Sequence, residues 1–322
     1  MRFSTEAMMS FNSTATRRLF SGLFLALCLV AGIQGGSTCA ATASGFTGPE
    51  VPAVSGLRGD YTNIGARTAD GRTDIAKLIS VLKTINASDY FHLVWDNRPA
   101  YRYAWEDFQL MAPQFQNAGL NLWLTLTPPS EGVPVPFGGD YVQWAVECAK
   151  LAKSYPAIKG IVIDDFNGNT SLFTPAYCKK MMTEAHKIAP KLALLATCYY
   201  GYETKILKQV EQGAIDGVVF PYFYPQENNS DTTLLSAQIK MYRITLDKTL
   251  KRVKKHKQLP LIVMIYATKH SQSPDAPTPD YVKECIRIAR QSIDQGLANG
   301  VVTYQLPKSD QAFIDAVSSA YR

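Results

Sequence analysis

The chain has 322 residues, of which 46% are hydrophobic and 19% are charged, and its net charge is +6. This ordinary globular composition excludes a disordered chain, a collagen and a coiled coil. The charge falls short of the concentrated basic surface of nucleic-acid-binding proteins, so we expect no nucleic-acid partner.

The first 43 residues have the features of an export signal. Arg17 and Arg18 precede an apolar run over residues 23–33, which is short for a transmembrane helix, and Ala41-Thr42-Ala43 fits a signal peptidase site. We therefore predict a signal peptide over residues 1–43 and export to the periplasm or the extracellular space, with no stable membrane insertion after cleavage. The arginine pair resembles a twin-arginine signal, while the general secretory route and an uncleaved anchor helix are the alternatives.

Short apolar runs follow one another along the rest of the chain. Several, such as Ile161-Val162-Ile163, are continuously aliphatic, which is typical of parallel strands that are covered on both faces. The eight predicted strands span residues 54–61, 90–95, 120–127, 158–166, 192–200, 215–224, 261–268 and 300–306.

Amphipathic helix patterns lie between these runs. In the first pattern, Ile75, Leu78 and Leu82 recur at steps of three and four residues, which places them on one helix face. Thr174-Pro175 and Thr278-Pro279 each combine a capping residue with a proline at the first helical position. Further helices are predicted over residues 140–155, 175–189, 202–212, 232–257, 279–295 and 311–321.

Alternating strands and helices predict a parallel sheet with right-handed crossovers. Eight such units in about 270 residues predict a (β/α)₈ (TIM) barrel, and we expect residues 44–322 to form one catalytic domain of this class. The alternative is an open, doubly wound sheet. The first strand is not followed by the glycine-rich fingerprint of dinucleotide-binding sheets, which argues against that fold.

The strand ends of such a barrel are where its chemistry is expected. These positions are rich in aromatic, carboxylate and amide side chains, a mixture that suits a carbohydrate substrate: rings stack on sugar faces and polar groups bind hydroxyls. The residues that we assign to substrate binding are Asp60, Tyr61, Trp95, Asp96, Glu131, Asn167, Tyr199, Tyr222, Tyr224, Tyr266, Lys269 and Gln305.

Asp164 and Asp165 directly follow the apolar fourth strand and are the predicted catalytic residues. Burying such charges is costly, and adjacent acids push one another's pKa apart, so that one serves as the acid and the other as the anion. The alternative is structural: Asp165 caps the next helix while Asp164 bonds a neighbouring strand. The predicted seventh strand ends without a carboxylate, and so does the sixth through Pro225, so an acid pair spread over distant strands is disfavoured.

A pair confined to one strand end suits substrate-assisted glycoside hydrolysis, in which the acetamido oxygen of the substrate is the nucleophile. The Asp164-Asp165 pair resembles the paired aspartates of family 84 glycoside hydrolases, the O-GlcNAcase and hyaluronidase-like enzymes. Residues 101–107 resemble that family's Tyr-x-Tyr-Ala segment, and residues 127–130 its Ser-Pro-Gly strand end. The resemblance implies that Asp164 orients the acetamido group and that Asp165 is the general acid/base. Gly59-Asp60-Tyr61 departs from the family's first strand, which indicates a distant relative with another sugar.

Other chemistries find little support in the sequence. The four histidines of the chain form no HxH or HExxH motif, so we expect no metal, and no other cofactor is predicted. A serine hydrolase is disfavoured because no GxSxG motif is present. The prediction is therefore a secreted, metal-independent glycoside hydrolase that cleaves a glycan. A glycan that contains N-acetylhexosamine is one candidate substrate. The alternative is a catalytically silent carbohydrate-binding barrel.

Overall fold

A computed structural model gives the structure of most of the chain. The residues that it describes are 54–62, 65–96, 98–223, 232–255, 257–271, 273 and 275–322. The predicted signal peptide, its cleavage site and Tyr224 lie outside the described residues.

Eight parallel strands form a closed barrel in which each strand pairs with its neighbours in chain order and β8 returns to β1. The predicted (β/α)₈ fold is therefore confirmed. Each strand falls inside its predicted apolar run or within one residue of it, since apolar strands are buried between the barrel interior and the outer helices. The strands are β1 (Leu57–Tyr61), β2 (Asp89–Val94), β3 (Asn121–Leu126), β4 (Ile158–Ile163), β5 (Ala193–Thr197), β6 (Gly217–Tyr222), β7 (Leu261–Tyr266) and β8 (Gly300–Tyr304).

A helix follows each strand and covers the outside of the barrel. Both predicted N-terminal caps are present: the Thr174 hydroxyl accepts a hydrogen bond from the Tyr177 amide, and the Thr278 hydroxyl accepts one from the Tyr281 amide. The helices are α1 (Ile75–Thr84), α2 (Ala104–Ala118), α3 (Tyr141–Ser154), α4 (Pro175–His186), α5 (Leu207–Gln212), α6 (Thr233–Arg252), α7 (Pro279–Asp294) and α8 (Gln311–Tyr321). Across the part of the chain that the structure describes, no helix has the length and apolar character of a membrane span.

The barrel interior is filled by side chains and is not a channel. Phe91 and Trp123 stack inside it with ring centroids 5.5 Å apart, and the Trp123 indole N–H donates to Asp89 Oδ1 over 2.8 Å. Gly160 faces this stack on β4, where a Cβ atom would lie 2.7 Å from the Trp123 ring and 2.4 Å from the Ala193 carbonyl oxygen. Only glycine fits there. This packed interior leaves the carboxyl ends of the strands as the open end of the barrel.

Candidate active site

A cavity of about 550 Å³ lies at the carboxyl ends of the strands, the end of the barrel where the sequence predicts a site. Its lining comes from the loops after β3 to β7 and from the start of α6. The lining includes one predicted catalytic residue, Asp165, and four predicted substrate-binding residues. These four are Glu131, Asn167, Tyr199 and Tyr222.

Asp164 and Asp165 occupy the turn directly after β4, which ends at Ile163 and not at residue 166 as predicted. Asp165 has a left-handed backbone, with φ 39° and ψ 38°, a conformation that aspartate tolerates better than most residues. Its side chain does not cap the short 3-10 helix Phe166–Gly168 that it precedes. Asp164 Oδ1 accepts a hydrogen bond of 3.0 Å from the Asp165 amide, and α4 is capped by Thr174. The predicted alternative in which Asp165 caps the next helix is therefore wrong, whereas Asp164 does bond a neighbouring strand, because its amide donates to the Leu126 carbonyl of β3 over 3.0 Å.

The Asp164 carboxyl is half-buried next to Asp165, in an environment that disfavours its charge. Burial and the neighbouring Asp165 carboxylate raise the pKa of Asp164 to about 7, although the Tyr61 hydroxyl and the Asp165 amide partly oppose the rise. Asp164 therefore exchanges its proton near neutral pH, as a group that takes part in proton transfer must.

A third carboxylate, Glu131, joins this pair from the loop after β3. Partial burial and the facing Asp165 carboxylate raise the pKa of Glu131, an effect that Arg98 partly opposes. The loop is held in place because the Trp95 indole N–H donates to the Glu131 carbonyl over 2.6 Å and the Glu131 amide donates to the Pro128 carbonyl over 2.9 Å. Two neighbouring strand ends thus bring three carboxylates together.

Asn169 links the two acidic loops. Its side-chain amide donates to the Asp165 carbonyl over 3.0 Å and to the Ser130 hydroxyl over 2.8 Å, and the residue is 8% exposed. One buried amide therefore ties the strained Asp165 turn to the loop that carries Glu131.

Four tyrosines from different strands surround Asp164. The Tyr61 hydroxyl faces its carboxylate, and the Tyr61 ring lies 5.2 Å from that of Tyr304. Tyr304 stacks on Tyr266 at 4.1 Å, and the hydroxyls of Tyr266 and Tyr199 are 3.2 Å apart. Burial and the aspartate charges raise the pKa of Tyr199, so this phenol stays protonated and can donate hydrogen bonds. The cluster therefore brings together three of the residues that were predicted to bind substrate: Tyr61, Tyr199 and Tyr266.

Aromatic and imidazole side chains also line the cavity. Phe223 stacks on His270 with ring centroids 4.1 Å apart, and Tyr199 meets Phe223 edge-on at 6.2 Å. Burial lowers the pKa of His270, which Asp165 partly opposes, so the imidazole is mostly neutral at neutral pH. The Asn167 side-chain oxygen accepts a hydrogen bond from the Tyr199 amide and so links the loop after β4 to the loop after β5.

Asp60 was predicted to bind substrate, but the structure gives it a different role. It is fully buried, and the Lys308 ammonium binds its Oδ2 while Thr303 and the Leu306 amide donate to its Oδ1 over 2.7 and 3.3 Å. Because both carboxylate oxygens are engaged inside the fold, Asp60 is not available to a ligand.

Trp95 and Asp96 lie beside the loop that carries Glu131. Arg98 binds Asp96 with two hydrogen bonds of 2.6 and 2.7 Å, which lowers the pKa of Asp96, and the guanidinium lies 3.9 Å from the centroid of the Trp95 ring. A ligand that binds Asp96 must therefore compete with Arg98.

Two other predicted residues are peripheral to the cavity. Lys269 is exposed and does not line it. Gln305 supports the tyrosine cluster, because its side chain donates to the Tyr304 hydroxyl over 3.3 Å and its amide to the Tyr61 carbonyl over 2.9 Å. Within the described ranges, no group of three His, Cys, Asp or Glu side chains is placed to hold a metal ion. The four described cysteines are buried and unpaired.

No family model matches the chain, and no curated protein matches its sequence. Solved structures do match its fold. One is an α-L-arabinofuranosidase from Thermotoga maritima, with 10% identity and a TM-score of 0.59 over 81% of this chain and 69% of that one. A second is a β-galactosidase from Rahnella sp. R3, with 11% identity and a TM-score of 0.56 over 84% and 57%. A third is a GH2 β-galacturonidase from Eisenbergiella tayi, with 10% identity and a TM-score of 0.52 over 82% and 50%.

The chain shares its barrel fold with these three enzymes. At these identities the likeness concerns the fold alone, and the chain spans between 50% and 69% of the length of the three proteins. No member of family 84 is among these three structures.

Several residues of the site were not among those that the sequence assigned. Tyr304 ends β8 beside Asp164, and Tyr200 and Tyr202 follow β5 and line the cavity. Their positions after predicted strands were the available signal. A strand end alone does not show whether a side chain points into the cavity or away from it.

Proposed function

We propose that this protein is a glycoside hydrolase in which Asp165 is the general acid/base and Asp164 is the supporting carboxyl. One observation carries the proposal: Asp165 and Glu131 line one cavity at the open end of the barrel, and Asp164 and the tyrosine cluster adjoin them. Interacting carboxyls of raised pKa next to protonated phenols fit acid/base work on a substrate rich in hydroxyls.

The arrangement supports a stepwise reaction. The proton that Asp164 holds near neutral pH first moves to Asp165, which gives it to the glycosidic oxygen while the bond between this oxygen and the anomeric carbon breaks. In the substrate-assisted route, the acetamido oxygen bonds to the anomeric carbon, and Asp164 accepts a hydrogen bond from the acetamido N–H. The Asp165 carboxylate then takes a proton from the water that displaces the acetamido oxygen, which restores both groups.

An N-acetylhexosamine substrate is the more specific part of this proposal. It is supported by the confinement of the aspartate pair to one strand end and by the resemblance of Asp164-Asp165 to the family 84 pair. The reaction class is further supported by the similar barrels, whose names are those of an arabinofuranosidase, a β-galactosidase and a β-galacturonidase. These enzymes act on different sugars, so they indicate the class of bond and not the sugar.

A panel of complex glycans, with products identified by mass spectrometry, tests the proposal. The purified protein is compared with Asp165→Asn and with Asp294→Asn, a matched change at an exposed position on α7. We expect wild type and Asp294→Asn to release sugar, and Asp165→Asn to be slower by about 10²–10⁴-fold, the usual contribution of general acid/base catalysis.

The outcomes separate the alternatives. Equal rates for wild type and Asp165→Asn would remove the assignment of the acid/base. Release from N-acetylated glycans alone would favour the substrate-assisted route. Binding of a glycan that stays intact on long incubation would show a silent carbohydrate-binding barrel in place of a hydrolase.

We also propose that the protein is exported, on the basis of the signal-like residues 1–43. N-terminal sequencing of the protein recovered outside the cytoplasm should begin near Ser44. Recovery of the uncleaved chain in the membrane fraction would instead support an N-terminal anchor.

A further inference from the structure

Three large, exposed apolar side chains line the cavity. Six large apolar residues are exposed among the described residues, and three of them line this cavity: Tyr200 at 40%, Tyr202 at 50% and Leu234 at 47%. Single exposed apolar residues are common on protein surfaces, but a cluster beside a polar cavity marks a place where a ligand binds.

The turn that carries the two tyrosines is held in a fixed shape. Gly201 has φ +85°, which favours glycine, and its amide donates to Glu203 Oε1 over 3.0 Å. The Tyr202 amide donates to the Tyr199 carbonyl over 3.1 Å, and the Lys205 amide to the Tyr202 carbonyl over 2.9 Å. Two aromatic rings on such a turn bind a ligand with little loss of conformational entropy.

The surroundings of these rings suit a sugar better than an apolar or highly charged ligand. Gln238 and Asn167 contribute amides to the same cavity, and the tyrosines add hydroxyl groups. Aromatic faces carry partial negative charge, which attracts the C–H groups of a sugar ring, while the amides and hydroxyls bind its hydroxyl groups.

The size of the cavity exceeds the needs of one sugar. Cavities of about 300–1,000 Å³ hold drug-sized ligands, and the 550 Å³ here extends from Glu131 and Asp165 to Tyr202 and Leu234. The carboxylates come from the loops after β3 and β4, whereas the exposed apolar residues come from the loop after β5 and from α6. A glycan chain can therefore contact both ends of the cavity at once.

We propose that Tyr200 and Tyr202, with Leu234, form a second sugar-binding subsite, and that the ligand is a glycan chain and not a single sugar. This inference rests on the proposed carbohydrate site, and it adds that affinity depends on chain length. The sugar on this subsite is next to the one whose bond is cleaved.

The test measures binding and not cleavage, so its failure is distinct from failure of the proposed hydrolase. Asp165→Asn protein, whose turnover should be lower by about 10²–10⁴-fold, is titrated by calorimetry with glucose, xylose, galactose and N-acetylglucosamine and with their β-linked oligomers of increasing length. We expect at least one series to bind about tenfold more tightly as the chain grows beyond the monosaccharide.

Matched substitutions in the same background identify the subsite. Tyr200→Leu and Tyr202→Leu, which keep apolar bulk but remove the ring face, should each lose most of this gain. Tyr202→Phe, which keeps the ring, should retain most of it. Met241→Ala, at a 50% exposed position of α6 outside the cavity lining, should bind as the parent does.

Two results would overturn the subsite. One is the absence of any gain in affinity with chain length in all four series. The other is an equal gain in the parent and in both leucine variants. If the wild-type protein nevertheless cleaves glycans, the hydrolase proposal stands without the second subsite.

Discussion

Two acidic positions at strand ends of this barrel have opposite surroundings. Asp60, on β1, is fully buried, and it is neutralised by Lys308 and bonded by Thr303 and a backbone amide. Asp165, after β4, faces the carboxyls of Glu131 and Asp164 in an open cavity and has a left-handed backbone. Asp60 links β1 to β8 and to the segment after it, whereas Asp165 lies next to two other carboxyl groups.

The difference shows which of the two serves the fold. A buried carboxylate with a cation and hydrogen-bond donors is accounted for by structure alone. Carboxyls that repel one another on a strained turn lower stability, so their presence needs another explanation, and perturbed acids in a cavity are typical of catalytic sites. Each substitution below tests one side of this contrast.

Removing the Lys308 cation from its buried pair with Asp60 should have the largest effect on stability. Lys308→Met leaves Asp60 charged and buried, and we expect the free energy of unfolding to fall by about 3–5 kcal/mol. Urea denaturation followed by circular dichroism measures it. Lys187→Met, which breaks the exposed pair with Glu184, is the matched control and should change little. A loss no greater than that of the control would show that Asp60 needs no cation.

The acidic cluster should make stability depend on pH. The pKa of Asp164 is raised to about 7, above that of an unfolded aspartate, so the folded state binds the extra proton. This contribution to stability is complete below the unfolded pKa and is lost as pH rises through about 7. Stability should fall between about pH 4 and pH 7, by at most about 1.4 kcal/mol per pH unit for one proton, and should level off above this range. Asp164→Asn should flatten the profile, and an unchanged slope would contradict the assignment.

Asn169 should affect turnover through the two loops that it joins. Asn169→Ala removes the hydrogen bonds to the Asp165 carbonyl and the Ser130 hydroxyl, with an expected cost of about 1–3 kcal/mol in stability. On the glycan found by the panel, kcat should fall about tenfold with a shifted pH profile, whereas KM should change less. Gln143→Ala, which removes a bond to Glu147 on α3, is a control for losing an amide. A stability loss with unaltered kcat and pH profile would leave Asn169 a structural role only.

The smallest expected effect has the opposite sign. Asp165→Asn removes a negative charge from the acidic cluster, and asparagine also tolerates a left-handed backbone. We expect the variant to gain about 0.5–2 kcal/mol in unfolding free energy at neutral pH while it loses turnover, a common trade-off at active sites. Thermal and urea denaturation measure the gain. Destabilisation would mean that Asp165 supports the fold as Asp60 does.

The sequence predicted the fold because local patterns determine it. Continuous aliphatic runs such as Ile161-Val162-Ile163 need cover on both faces, and only a parallel sheet under helices provides it. The hydrophobic periodicity of the sequence did not predict the bounds of helix α2. It contains Pro113 and is polar at several positions, and its glycine C-cap, Gly119, was its clearest signal.

The site was predicted in part. Asp164 and Asp165 directly follow β4, and Glu131 lies in the loop after β3, so their proximity follows from chain order, because the strand ends of a barrel meet at one end. Tyr200 and Tyr202 also follow a strand, but the direction of their rings depends on the turn at Gly201. The relation of Asp96 to Arg98, two residues apart, was visible in the sequence, although its bidentate geometry was not.

By itself, the sequence determined the number and order of the strands and the end of the barrel that carries the acids. These features depend on local periodicity and on connectivity. Only the tertiary structure decided which acid has a cation, because Lys308 lies 248 residues from Asp60 along the chain and meets it through the pairing of β1 with β8. The electrostatic environment of a side chain depends on distances in space, and a sequence pattern does not contain them.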